Sequence, residues 1–137
     1  MFRSKQLVLA CLLVCLFALP AAGGDFNGSK PMLCVPIEIS ECAPSTGCQE
    51  TAAEIAGLPQ FIQINAKKKS VSGKLADGTV KSAKIETKAI QEGNLVLQGM
   101  QNGRGWSMVI AEDTGKMSLS VAGRDVGFFV SGACMIP

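Results

Sequence analysis

The chain has 137 residues, 47% of them hydrophobic, with 13 basic and 11 acidic side chains and neither histidine nor tyrosine. Without histidine, Ser-His-Asp and Cys-His catalytic arrangements are excluded, and so is haem attachment through Cys-x-x-Cys-His. Arg3 and Lys5 account for the basic excess, so residues 24–137 carry eleven bases against eleven acids and offer no net-charge argument for nucleic acid.

Arg3 and Lys5 precede an almost wholly apolar run from Leu7 to Leu19. Pro20 ends that run, and Ala21-Ala22-Gly23 offers small residues to a peptidase. The pattern predicts a secretory signal peptide over residues 1–23, too short to span a membrane. Residues 24–137 then read as a single disulfide-linked β domain, periplasmic or extracellular, with no transmembrane segment after cleavage. Cys11 and Cys15 leave with the leader, and Cys34, Cys42, Cys48 and Cys134 stay. An even number in a small exported domain predicts two disulfides, with three possible pairings. Zinc is disfavoured, because there is no Cys-x-x-Cys and no histidine. The scattered methionines read as packing rather than as a copper site. No cofactor is expected.

Taken in order, residues 24–31 read as a solvated tail. Met32 to Ile39 is a first strand, in which Pro36 suits an edge or a strand start. Glu41 to Gly47 is a loop. Gln49 to Ala56 reads as one or two helical turns: Thr51-Ala52-Ala53-Glu54 has capping-box form, and Gly57 and Pro59 stop the helix. Phe61 to Asn65 is a strand, Ala66 to Lys69 a polar turn and Ser70 to Lys74 a short strand. Asp77-Gly78 turns the chain again. Val80 to Ile90 is long enough to bend, and Glu92-Gly93 makes the next turn.

From Asn94 to Cys134, four apolar runs alternate with loops rich in Gly, Asn and Asp, as consecutive antiparallel hairpins do. Asn102-Gly103 suits a type I′ turn, which needs φ > 0 at both centres. Leu95 and Leu97, then Trp106, Met108 and Ile110, then Met117, Leu119 and Val121, form inward sets at period two. In the last run Val126, Phe128 and Val130 share one face, and Phe129 on the other predicts a partly covered second face. Turn signals roughly every ten residues predict an all-β fold, an antiparallel meander of about eight strands with one short helix. Both a small closed barrel and a partly open one fit. If the sheet curls toward closure, Cys34 and Cys134 become neighbours, while Cys42 and Cys48 bracket a short loop with Pro44 and Gly47. The expected bridges are therefore Cys34–Cys134 and Cys42–Cys48.

The run LQGMQNGRGWSMVIAEDTGKMSLSVAGRDVGFFVSGAC resembles the C-terminal half of a group of small exported bacterial proteins of unknown function. The likeness reaches back through PQFIQIN, and Asn102-Gly103-Arg104-Gly105-Trp106 and Gly132-Ala133-Cys134 are its most specific parts. It implies an envelope or secreted location and no catalytic residues.

Among candidate sites, the adjacent carboxylates Glu112 and Asp113 would need burial to separate their pKa values, and a hairpin tip supplies none. Asn102 to Gly105 joins two strands rather than a strand and a helix, so it is not a phosphate cradle. Lys67, Lys68 and Lys69, with Lys74, Lys81, Lys84 and Lys88, form a local basic cluster. Such lysines deter edge-to-edge pairing or dock on an anionic surface. No aromatics interleave them, so they do not form a nucleic-acid platform. Arg104 at a hairpin tip and Trp106 beside it are candidate partner-binding residues, with Trp106 expected as a buried core anchor. The expected function is an exported, non-enzymatic binding module for a protein or small ligand, its partner an envelope protein or an anionic surface. The alternative is a structural or stress-related envelope protein without a discrete ligand.

Overall fold

The computed structural model describes residues 24–137, so the signal peptide expected over residues 1–23 lies outside the described residues. The alternating runs become ten strands and one short helix: β1 (Met32–Ala43), β2 (Gly47–Thr51), α1 (Ala53–Ala56), β3 (Ile62–Asn65), β4 (Ser70–Lys74), β5 (Val80–Lys84), β6 (Thr87–Gln91), β7 (Asn94–Gln101), β8 (Arg104–Ala111), β9 (Lys116–Ala122) and β10 (Gly127–Met135). Every strand pair is antiparallel. One sheet runs β5-β4-β3-β1-β10-β9-β8-β7-β6, with β2 on the second half of β1, and it curls into a half-barrel. Two strands exceed the expected eight: β2, and the break of the Val80–Ile90 run into β5 and β6. The turn chemistry holds where it was clearest, since Asn102 and Gly103 both take positive φ, 52° and 75°, as a type I′ hairpin requires.

Register stacks the inward side chains of β7–β10 into three bands. Leu95, Ile110, Met117 and Gly132 form the first, Leu97, Met108, Leu119 and Val130 the second, and Gly99, Trp106, Val121 and Phe128 the third. The first two are sealed: Leu95, Leu97, Ile110 and Val130 are 0% exposed. Burying each such side chain contributes about 1.5–3 kcal/mol. The third band is looser, with Trp106 and Val121 only half-buried. The half-barrel therefore has a closed end beyond the first band and an open end beyond the third.

Closure begins between the second and third bands, with a change of partner within two residues. The Ile85 N–H donates to the Lys69 carbonyl (2.9 Å), beside β4, and the next N–H, that of Glu86, donates to Gln98 of β7 (2.8 Å). Ile85 itself is 1% exposed. The run Val80–Gln91 thus supplies both edges of the sheet, and the edges meet there. Toward the open end β5 and β7 lie side by side without a ladder. Gln101 Nε2 donates to the Ser82 carbonyl (2.6 Å), and a Cβ on Gly99 would lie 2.4 Å from the Lys84 carbonyl oxygen. Only glycine admits so close an approach of backbone.

Cys34 bonds Cys134 across β1 and β10 at a sequence separation of 100. Cys42 bonds Cys48 across the β1–β2 hairpin at a separation of 6.

Several expectations are corrected. Residues 24–31 are not a solvated tail: Gly28 is buried, Phe26 is half-buried against the core, and its N–H donates to the Glu112 carbonyl (3.2 Å). Phe26 is the one large apolar side chain of that segment, and it plugs the closed end. The helix is only four residues long, because residues 49–51 are held extended in the β2 ladder on β1. Its N-cap is Ala52 and no side chain caps it, so the capping box does not form. Glu54 instead accepts from Gln60 Nε2 (2.6 Å). Gly57 does end the helix, at φ 65°. Pro36 lies in a central strand, not at an edge. It is tolerated beside a bulge, in the stretch of β1 between its pairing with β3 and its pairing with β2, where no ladder needs its missing N–H. Phe129 is 55% exposed, so the outer face there is not covered.

Candidate functional site

At the open end no ladder joins β5 to β7, and β2 takes the place of β3 along β1, so the half-barrel flares. The flare leaves a pocket of ≈ 330 Å³. Its walls are Trp106, Val121 and Phe128 of the third band, and Ile62, Met108 and Leu119 lie deeper. Val71 and Ala83 continue the wall through β4 and β5, and Ala56 to Pro59 close one side. Pro59 is seated on Gly73, where a Cβ would lie 2.4 Å from the proline ring.

Alternation also places two cations in this apolar setting. Arg104 shares strand parity with Trp106, Met108 and Ile110, and Lys81 shares it with Ala83, so both occupy inward positions at the mouth, and both line the pocket. The Arg104 guanidinium lies 5.8 Å from the centroid of the Phe128 ring, a cation–π distance. Lys81 Nζ donates to the Gly57 carbonyl (3.3 Å), leaving two of its three protons. No aspartate or glutamate lines the pocket. Among the described residues the single ion pair is Lys84–Glu86 (3.6 Å), on the exposed surface. The carboxyl of Asp77, on the β4–β5 turn, is held below its ordinary range chiefly by hydrogen bonds from Thr79, with the charge of Lys81 a smaller cause. Trp106 adds a third donor: its Nε1 is buried and has no hydrogen-bond partner among the described residues. Leaving a buried donor unpaired costs about 1–3 kcal/mol.

No family model, no curated protein and no solved structure matches this chain. Its function is therefore argued from the chemistry of its own side chains.

The structure divides the expected partner-binding residues into two groups. Lys67, Lys68 and Lys69 sit exposed on the β3–β4 turn, toward the closed end, where Lys84 pairs with Ser70 in register. Arg104 and Trp106 converge in the pocket at the other end. Trp106 is a wall of that pocket rather than a fully buried anchor. Glu112 and Asp113 lie on the β8–β9 turn, away from the pocket. Leu58 and Phe128 were not recognised in sequence as site residues, and Lys81 was read only as part of the basic cluster, because their segments meet only when the sheet curls. Strand parity was the available signal, since it puts Arg104 in line with Trp106 and Lys81 in line with Ala83. Among the described residues no group of three or more His, Cys, Asp or Glu side chains could hold a metal ion, and no helix is long and apolar enough to cross a membrane.

A second concavity lies on the outer face, lined by Leu33, Phe61, Gln63, Lys74 and Val80. Phe61 is 53% and Val80 69% exposed, so its apolar part lies open to solvent.

Proposed function

We propose that the protein is a non-enzymatic binding module of an exported, oxidising compartment, and that it takes a small ligand into the open end of the half-barrel. The pocket carries this reading. Its ≈ 330 Å³ falls at the lower end of the range of about 300–1,000 Å³ occupied by small-molecule sites. It also has their usual make-up, an apolar body with a few convergent polar groups. The fully buried bands below it contrast with this open space and support the reading. Two intramolecular disulfides support an oxidising location outside the cytoplasm.

The test uses Trp106, the only tryptophan, as reporter. The neutral apolar probe N-phenyl-1-naphthylamine is expected to bind saturably at one site and to alter Trp106 emission. Val121→Phe, which fills the pocket without touching the sealed bands, should abolish that binding. A wild-type protein that shows no saturable site would remove the reading.

The exposed Lys67, Lys68 and Lys69 support a separate, second reading, docking of the closed end on an anionic surface or acidic protein of the envelope. Such attraction weakens as salt shortens the Debye length from about 10 Å at 0.1 M to about 3 Å at 1 M. Adhesion to anionic vesicles that does not change over that range would eliminate it. An envelope protein without a discrete ligand is the outcome if both tests fail.

A further inference from the structure

We infer that the pocket selects an amphiphilic anion of the alkanoate class, with its carboxylate between Lys81 and Arg104 and its chain directed toward Met108 and Leu119. The inference rests on the small-ligand reading above and adds the chemical class.

Charge placement carries it. Inward positions of β-strands in a barrel are filled by apolar side chains, and the two sealed bands obey that rule. At the mouth the inward positions hold Lys81 and Arg104, and no carboxylate lines the pocket beside them. The chain balances eleven bases with eleven acids over residues 24–137, so this one-sided lining is not the by-product of a basic protein. Two acids bear on the mouth: Glu41, opposite Phe128 in register and so at an inward position of β1, and Asp77 on the β4–β5 turn, whose carboxyl feels the charge of Lys81. Neither lines the pocket, and neither makes an ion pair with Arg104 or Lys81. Two like charges that face one mouth repel each other, and an anion between them turns that repulsion into attraction.

The form of each donor matches a carboxylate. Arg104 is steadied over the Phe128 ring, and its planar fork accepts a carboxylate through paired hydrogen bonds. Lys81 keeps two protons free of the Gly57 carbonyl. Size then limits the tail. At about 30 Å³ per water-sized group, the ≈ 330 Å³ pocket holds about ten such groups, the number of carbons in decanoate with its carboxylate included.

Calorimetric titration of the folded protein with decanoate, decanol and decyltrimethylammonium, each below its micelle concentration, tests the inference. Decanoate is expected to bind one to one, about tenfold tighter than decanol, with the ammonium weakest. Lys81→Gln and Arg104→Gln should each weaken decanoate and leave decanol unchanged, and the double variant should erase the preference. Both residues are exposed, and circular dichroism verifies that the variants fold. Equal affinity for decanol and decanoate would overturn the charge inference while the pocket reading stands. No binding of any of the three would overturn both. Decanoate preference that survives the double variant, or that disappears when Lys67, Lys68 and Lys69 are changed to Gln, would place the anion elsewhere and overturn the inference.

Discussion

The two ends of this half-barrel are made from the same strands and behave differently. The chain crosses from one sheet edge to the other at Ile85, and on the closed side of that crossing Leu95 and Ile110 are fully buried. At the open end the same sheet edges face each other across Gly99 and Gln101 without a ladder, and the inward row changes from aliphatic to Trp106, Arg104 and Lys81. No polar or charged residue is buried among the described residues, so the polar groups of the inward rows gather where water still reaches them. A sheet need not have two kinds of strand to have a stable half and an adaptable half. It is enough that closure fails at one end.

The sharpest way to break this comparison is to cut the covalent links at each end. Replacing Cys34 and Cys134 together by Ala should cost about 4.7 kcal/mol in the chain-entropy account, since their loop is about 100 residues long. Replacing Cys42 and Cys48 should cost only about 2 kcal/mol. Urea midpoints measured without reductant decide it, and equal losses would end the distinction.

Next in size are truncations inside each half. Ile85→Ala should destabilise by about 2–5 kcal/mol, the range for fully buried aliphatics. Val121→Ala, at the wall of a space that already exists, should cost about 1 kcal/mol or less, because little new cavity is made. If Val121→Ala proves as costly as Ile85→Ala, the open end is packed core.

A smaller change probes the seam directly. A Cβ on Gly99 would sit 2.4 Å from the Lys84 carbonyl oxygen and 2.6 Å from Trp106 Cζ2. Gly99→Ala should therefore push β5 from β7, cost about 1–3 kcal/mol and shift Trp106 emission. Unchanged emission would mean that the two backbones do not approach as described.

Acid should give the smallest effect, and only at the open end. Asp77 accepts from the Thr79 N–H (2.8 Å), which holds its carboxyl below the usual range. A depressed carboxyl stabilises the fold above its unfolded pKa, and that contribution is lost as pH falls through the lowered value. The β4–β5 turn should therefore loosen in acid below the ordinary aspartate range. Amide exchange at Thr79 should rise there while that at Ile85 stays slow. Equal protection loss at both would show that the ends melt together.

How far all this could be read from the residues differs by region for physical reasons. The meander from Asn94 to Cys134 was legible because every strand alternates and each turn has its glycine, and the Cys34–Cys134 bridge follows once such a sheet curls. β2 was hidden: Gly47-Cys48-Gln49-Glu50-Thr51 is polar and mostly exposed, so it has no inward face to produce a period, and Ala52–Glu54 nearby invited a longer helix. The break at Ile85 was invisible because a buried isoleucine in an extended run looks the same whichever neighbour it bonds. Phe26 was one apolar residue among polar ones, and only the folded closed end gives it a place. The pocket was legible only in part. Arg104 and Trp106 are two residues apart, but Lys81 and Leu58 reach them from segments far along the chain.

The pairing of β1 with β10 has a consequence for the order of events in a chain that appears from its N-terminus. β1 comes out first among the described strands, and its longest ladder is to the strand that comes out last. Cys34 must then wait through about a hundred residues for its partner, with Cys42 and Cys48 close by as wrong ones. The β1–β2 hairpin ends that competition early, because it sets Cys42 and Cys48 opposite each other in register and a short loop closes readily. The small bridge, the weaker of the two as a brace, is thus the guardian of the larger one.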